Sequence, residues 1–246
     1  MPKCIVYTGW DGCGTTAAYA FFTDVGKSLG WKASQWVTAP FDAVASSMRE
    51  NKDLDSIWDD VVKPYLLDSD FGAFSGWPYS LFFRQWDRDF DTKFIHAQKS
   101  VENWAYNELG SHWCRTIPSE SYQDHVDYIY GARVIRNDTN TREAWQKWIT
   151  RYKQHNADVT EYFSDKSDRY IYVNLDDTTN EEIGIGISTL IEVDYSSLTY
   201  PPTFILHKTD EGIRNPAEWN TEHITKMRNE QEFQTAWGFH KPHLTL

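Results

Sequence analysis

The sequence predicts an α/β domain with a central parallel sheet and helices on both faces. Three observations carry that prediction. An apolar run at residues 4–8 leads through a glycine-rich turn at residues 9–16 into a helical pattern at residues 17–29, closed by Gly30. Strand-like and helix-like segments then alternate along the chain, the order that crossover connections impose on parallel strands. Late in the chain, a long amphipathic helix at residues 141–163 precedes a strand at residues 169–175 that alternates Tyr, Ile, Tyr and Val.

The first run, Cys4-Ile5-Val6-Tyr7-Thr8, is rich in β-branched and aromatic residues and suits a buried strand. The helix after it carries Ala, Phe and Leu at helical spacing, and Gly30 is its stop. Residues 32–38 predict a second strand. Residues 42–50 and 56–67 predict helices, with Pro64 a poor fit inside the second. A short strand at 71–75 and a helix at 78–88 follow, the latter with Pro78 in its first turn. Residues 93–98 predict a central strand and 101–109 the helix after it. In the long helix, Trp145, Trp148, Ile149, Tyr152, Val159 and Phe163 recur at steps of three and four. With no internal repeat and no low-complexity linker, the expectation is one domain over 1–246. From about residue 200 the pattern is less regular, with Pro201-Pro202 and a helix near 221–233. That tail reads as a lid, a dimer arm or a surface extension.

A net charge of -12 excludes general nucleic-acid binding, which relies on Lys and Arg neutralising phosphates. It leaves room for a local basic pocket for one anionic ligand. Twelve Trp, fourteen Tyr and thirteen Phe are enough to fill a core and to line a cleft. The three cysteines, Cys4, Cys13 and Cys114, have no paired metal spacing, and so sparse and odd a count fits a reducing cytoplasm. The opening residues read as a strand rather than a signal peptide, and no apolar stretch has the length of a membrane span. A soluble cytoplasmic protein with no nucleic-acid or membrane partner is therefore expected.

The chemistry concentrates in Gly9-Trp10-Asp11-Gly12-Cys13-Gly14-Thr15-Thr16. Glycines at 9, 12 and 14 let backbone N–H groups converge on one point. The next helix adds its own N-terminal N–H groups and its dipole, and Thr15 and Thr16 add hydroxyls. This reads as a phosphate cradle, with a glycine-rich structural turn that holds no ligand as the alternative. It also matches the G-x-x-G-x-G start of nucleotide-kinase P-loops, but Thr15 stands where that motif has the Lys that reaches the β/γ-phosphates.

The cradle is similar to the 5′-phosphosulfate loop of sulfotransferases that use 3′-phosphoadenosine-5′-phosphosulfate (PAPS), and further segments extend the resemblance. Trp77-Pro78-Tyr79-Ser80-Leu81-Phe82-Phe83-Arg84 resembles the stretch before the family's central strand. Residues 93–104, from Lys93 to Trp104, resemble its strand–turn–helix element KFILTVRDPEKW. Tyr130-Gly131-Ala132-Arg133 and then Arg151-Tyr152, His155-Asn156, Val159 and Tyr162-Phe163 follow the family's late helix, and the strand from Asp168 comes where the family has one. The ordered set spans roughly residues 3 to 190 and is closest to the small, bacterial-like branch. It implies a three-layer αβα sandwich of the P-loop-containing nucleotide hydrolase type. It also implies PAPS as donor, 3′,5′-adenosine bisphosphate as product, and transfer of a sulfuryl group to a hydroxyl or amine of a small or carbohydrate-like acceptor. No metal is implied.

By that resemblance, the backbone of Gly12, Cys13 and Gly14 and the groups of Thr15 and Thr16 hold the 5′-phosphosulfate. Lys99 stands where the family has an Arg on the 3′-phosphate, and Asn107 near a Ser that contacts the same group. Arg133 and Arg136 border the nucleotide. Lys99 in place of Arg keeps the charge but loses the bidentate fork, and two further departures matter more. Gly12 replaces a Lys or Arg that neutralises charge on the leaving phosphate oxygen. Gly76 stands where this branch often has an Asp, so the base for the acceptor falls to Asp70 or His96, with Asp11 and Asp68 as further carboxylates. His96 also reads as a core histidine and Asp70 as a solvated loop carboxylate. His155 reads as a structural helix residue. Trp10 and Trp77 read as rings that stack on a ligand or fill the core, and His240 and His243 as a weak metal pair. The function expected first is sulfuryl transfer. Alternatives are a sulfotransferase-like nucleotide-binding protein without turnover, or a P-loop small-molecule kinase. The partners expected are a small-molecule or glycan acceptor and, through the tail, a second copy of the chain.

Overall fold

A computed structural model of the chain describes residues 4–35, 38–101, 103–105, 141–194 and 196. The chain divides into two compact units: Met1–Trp104 with Tyr152–Ile205, and Ala105–Arg151 with Leu206–Leu246. The first holds the sheet. The described part of the second is Ala105 and residues 141–151. Among the described residues, no helix is long and apolar enough to cross a membrane.

Five strands form one sheet: β1 (Cys4–Tyr7), β2 (Lys32–Gln35), β3 (Phe71–Ser75), β4 (Thr92–Gln98) and β5 (Tyr170–Asn174). Their spatial order is β2-β3-β1-β4-β5, and every pairing is parallel. The sheet is flanked by helices, so the fold is the α/β class the sequence predicts. All four residues of β1 are buried, which is why that strand is a continuous apolar run rather than an alternating one.

Helix α1 (Thr15–Leu29) packs on β2 and β3. It ends at Gly30, whose φ of 75° is the left-handed C-cap that the sequence marks with glycine. The expected strand 32–38 stops at Gln35, and helix α2 (Thr38–Arg49) begins sooner than its periodicity suggests. The segment 54–67 is helical throughout: α3 (Leu54–Ile57), a π-turn at Trp58–Val62, and α4 (Lys63–Leu67). The π-turn resolves the Pro64 misfit. The Lys63 N–H reaches back to Trp58 O, and the widened turn comes just before a residue that has no N–H to give. After β3, a 3₁₀ turn at Tyr79–Phe82 leads into α5 (Phe83–Asp89). Helix α6 (Thr141–Tyr162) belongs to the first unit from Tyr152 onward. Helix α7 (Asn180–Leu190) packs against β5, and the sequence reading passed over it. Its signal was present: Thr179 and Glu182 form a reciprocal capping box.

Aromatic side chains build the core of the first unit. Trp58, Trp86, Phe82 and Phe74 interlock with ring centroids 4.8 to 5.6 Å apart. Phe163 packs on Phe94 at 4.4 Å and stacks on Tyr170 at 4.9 Å. Trp31 wedges between α1 and β3, where only glycine leaves room for it. A Cβ at Gly26 would lie 2.4 Å from Trp31 O, and one at Gly72 would lie 2.7 Å from the Trp31 ring.

Gly26→Ala is expected to lower stability by about 2 kcal/mol, since the obstacle is backbone and the core does not yield easily. Gly30→Ala meets open space and pays only for its left-handed backbone, about 1 kcal/mol. Urea melts of the two variants check this, and equal losses would contradict the Trp31 wedge.

Candidate functional site

Strands β1 and β4 are neighbours, but the chain leaves them in opposite directions, toward β2 and toward β5. Open α/β sheets place ligands at such a switch point, outside the carboxyl ends of the strands. Two loops meet there: residues 8–14 after β1, and Lys99-Ser100 after β4.

The first loop is anchored at Thr8, all of whose polar groups are engaged. Its N–H donates to Ile95 O at 2.8 Å. Its hydroxyl meets His96 Nδ1 at 3.2 Å, and its carbonyl accepts from His155 Nε2 at 2.8 Å. A carbonyl can only accept, so Nε2 of His155 carries the proton. Gly9 comes next because β4 passes so close: a Cβ there would lie 2.9 Å from Ala97 O and 2.6 Å from the Tyr7 ring.

The chain then reverses. The Cys13 N–H bonds to Trp10 O at 2.9 Å, and Gly12 has φ 79° at the third position of that turn, the place where a type II turn calls for glycine. Gly14 has φ 81° and is the N-cap of α1, with no side-chain cap. The first intrahelical bond is Ala18 N–H to Gly14 O, so the N–H groups of Thr15, Thr16 and Ala17 have no acceptor inside the helix. Thr15 is buried and Thr16 exposed, with Gln35 Nε2 on the Thr16 hydroxyl at 3.4 Å. Such an end attracts an anion through its N–H groups and its dipole.

Cross-links bind the two loops together. The Tyr152 hydroxyl donates to Lys99 O at 2.8 Å, accepts from Lys99 N–H at 3.0 Å, and lies 3.6 Å from Cys13 Sγ. Burial pushes the Tyr152 phenol far up, so it stays protonated. Its ring stacks on Trp104 at 4.0 Å and 3°, and Trp104 Nε1 donates to Asp11 O at 2.7 Å. Tyr7 OH donates to Cys13 O. The structure thus brings the predicted cradle residues Gly12, Cys13, Gly14, Thr15 and Thr16 together with Lys99. Asn107, Arg133 and Arg136, together with Cys114, His240, His243 and the tail from about residue 200, lie outside the described residues.

The two candidate bases fall elsewhere. Asp70 precedes β3, at the amino edge of the sheet and opposite the cradle, and its carboxylate pairs with Lys32 on the surface. Asp68 shares that edge. His96 is fully buried in β4. Burial, and then the neighbouring His155, push its pKa down to about 3, so it is a neutral core imidazole without solvent access. Of the three carboxylates considered, Asp11 alone stands at the carboxyl edge, in the turn itself. Trp77 is buried and meets Phe41 edge-on at 4.3 Å, and Trp10 is buried with its ring 4.5 Å from His155, so both pack the core.

Three participants escaped the sequence reading: the Tyr152 clamp, the Trp104 bond to Asp11, and Asp176. Asp176 follows β5 and accepts from Ser100 N–H and from Asn103 Nδ2, the latter at 2.9 Å. Only the acidic pair Asp176-Asp177 just after a predicted strand hinted at it.

No protein-family model and no curated protein matches the chain. Among solved structures, the chain is similar to the crystal structure of a sulfotransferase from Alicyclobacillus acidocaldarius, with a TM-score of 0.44 and 11% identity over 96% of this chain and 95% of that one.

His96 and His155 tie stability to pH. Burial is the main cause that lowers both, to about 3 and about 4 against 6.5 when unfolded. The unfolded chain therefore takes up these protons first. Their contribution is complete above pH 6.5 and is lost as pH falls toward 4. The expected loss is about 2 kcal/mol for each imidazole between pH 7 and pH 5. Urea melts at both pH values test this, with His96→Gln halving the difference; an unchanged difference in that variant would refute the assignment.

Proposed function

We propose that the chain binds a nucleotide phosphosulfate at the Gly9–Thr16 cradle and transfers its sulfuryl group to a hydroxyl or amine. The observation that carries this reading is the left-handed pair Gly12 and Gly14, which aims the open N–H end of α1 into the switch-point crevice. The ordered motifs that resemble PAPS-dependent sulfotransferases supply the donor class, with PAPS as the donor named by that resemblance.

In such a transfer the S–O bond to the nucleotide phosphate breaks, and an S–O bond to a hydroxyl acceptor or an S–N bond to an amine acceptor forms. The acceptor gives up its proton, and the leaving phosphate keeps the electron pair. The chain's own contribution is positioning and stabilisation of that phosphate. Backbone N–H groups at the start of α1 and the hydroxyls of Thr15 and Thr16 would hold it. Lys99, half-buried just past β4, brings positive charge to the same crevice.

Gly12 favours a second reading, that of a nucleotide-binding protein on this fold without turnover. Its φ of 79° suits glycine, and no side chain extends from it toward the leaving oxygen. The kinase reading is weakened by Thr15 in place of the P-loop Lys.

Calorimetric titration with AMP, 3′,5′-adenosine bisphosphate and ATP, joined to assays of sulfate transfer from PAPS and from adenosine 5′-phosphosulfate, tests these readings. Gly14→Val is expected to weaken nucleotide binding by about tenfold or more, because a β-branched residue strongly disfavours φ 81°. Gly12→Lys restores charge for the leaving phosphate but strains the turn at φ 79° by about 1–2 kcal/mol, so a rise in turnover of about tenfold is expected, below the roughly 10²-fold that such a contact supplies without strain. Binding with no transfer in either protein supports the second reading. Mg²⁺-dependent phosphate transfer from ATP would overturn both in favour of a kinase.

A further inference from the structure

The loop after β4 carries an electrostatic feature that bears on the donor. Ser100 caps the helix that opens at Val101, its hydroxyl accepting from Asn103 N–H at 3.3 Å. Asp176 closes over the same end from β5, with one carboxylate oxygen on Ser100 N–H and the other on Asn103 Nδ2. Three of the donors that this helix end could offer an anion are therefore already engaged. Partial burial pushes the Asp176 carboxyl up, but the bonds from Ser100 and Asn103 and the charge of Lys99 outweigh it and hold the group below the usual carboxylate range. It is an anion at neutral pH, and it is exposed on the crevice side of the sheet, the carboxyl edge.

Lys99 is the residue that the family resemblance sets against a 3′-phosphate. Here its charge already acts on Asp176. A phosphate group at this point would meet a neighbouring carboxylate, with like charges opposing each other and the cap donors spent. A hydroxyl meets the opposite situation: an exposed carboxylate with lone pairs to spare is the group that accepts from ribose hydroxyls in nucleotide sites of open α/β sheets. The two loops stand on adjacent strands, about 4.8 Å apart, with β5 one spacing beyond, which is the scale of a single nucleotide.

We propose that Asp176 makes the crevice select a nucleoside 5′-phosphosulfate with a free 3′-hydroxyl, accepting a hydrogen bond from the ribose and excluding a 3′-phosphate. This inference rests on the reading of the cradle as the donor site, and it departs from the donor that the resemblance names.

The test is calorimetric titration of the full chain with AMP and with 3′,5′-adenosine bisphosphate, in wild type and Asp176→Asn. Asn keeps one oxygen to accept from Ser100 N–H and from the ribose, gives up the acceptor of Asn103 Nδ2, and removes the charge. Wild type is expected to bind AMP at least as tightly as the bisphosphate. Asp176→Asn is expected to tighten the bisphosphate by about fivefold and to weaken AMP by about threefold, because an amide oxygen is a poorer acceptor for the ribose hydroxyl than a carboxylate, and added salt should narrow the gap between the proteins. Matching thermal melts of the two proteins confirm that the fold is intact. A wild-type preference for the bisphosphate that Asp176→Asn leaves unchanged overturns this inference alone and returns the site to a 3′-phosphate donor. Binding of neither nucleotide overturns both the inference and the donor-site reading beneath it.

Discussion

The grip of α6 on the loops after β1 and β4 is the constraint on which the rest of the site depends. A turn with glycines at 9, 12 and 14 has little conformational preference of its own and loses more entropy on ordering than other sequences do. It holds one shape because His155 fixes the Thr8 carbonyl, Tyr152 fixes both backbone groups of Lys99, and Trp104 fixes the Asp11 carbonyl. These bonds are buried or partly buried, so breaking any of them leaves polar groups without partners away from water. The same residues account for the rigid aromatic face beneath the turn, where Tyr152 and Trp104 stack.

Charge is distributed unevenly between the two ends of the sheet. At the amino edge, cations are tied into ion pairs: Lys32 with Asp70, Lys63 and Arg88 with Asp89, Lys166 and Arg169 with Asp87. The Asp87 cluster also takes the Tyr162 hydroxyl, and it pins the end of α6 to α5. The exposed Lys32–Asp70 pair adds little stability, whereas the Asp87 and Asp89 carboxylates are largely covered by their partners, and together the pairs engage these basic residues at the amino edge. At the carboxyl edge the balance is finer: the open helix end of α1, Lys99, Asp11 and Asp176 stand within one crevice.

Two of the positions at which the chain departs from the sulfotransferase pattern share a backbone feature. Gly12 has φ 79° and Gly76 has φ 74°. Both lie in the left-handed region that disfavours side chains. The residues that the pattern would put there, a basic one and an acidic one, are replaced where the main chain itself turns left-handed.

The five strands, most of the helices between them and the glycine-rich turn after β1 were legible in the sequence, because they rest on local periodicity and on backbone freedom at single residues. Asp70 was a misplaced candidate base: in a parallel sheet a residue before a strand lies at the amino edge, away from the cradle. The π-turn that accommodates Pro64 was not legible, since it depends on the packing of Trp58 among Trp86, Phe82 and Phe90. Nor was the meeting of Asp176 with Ser100, residues 76 positions apart; His96 reads in the sequence both as a core histidine and as a candidate base, and its burial in β4 beside the central β1 decides for the core. Strand order is set by contacts between distant segments, and only that order decides which side chains share the crevice and which are sealed beneath it.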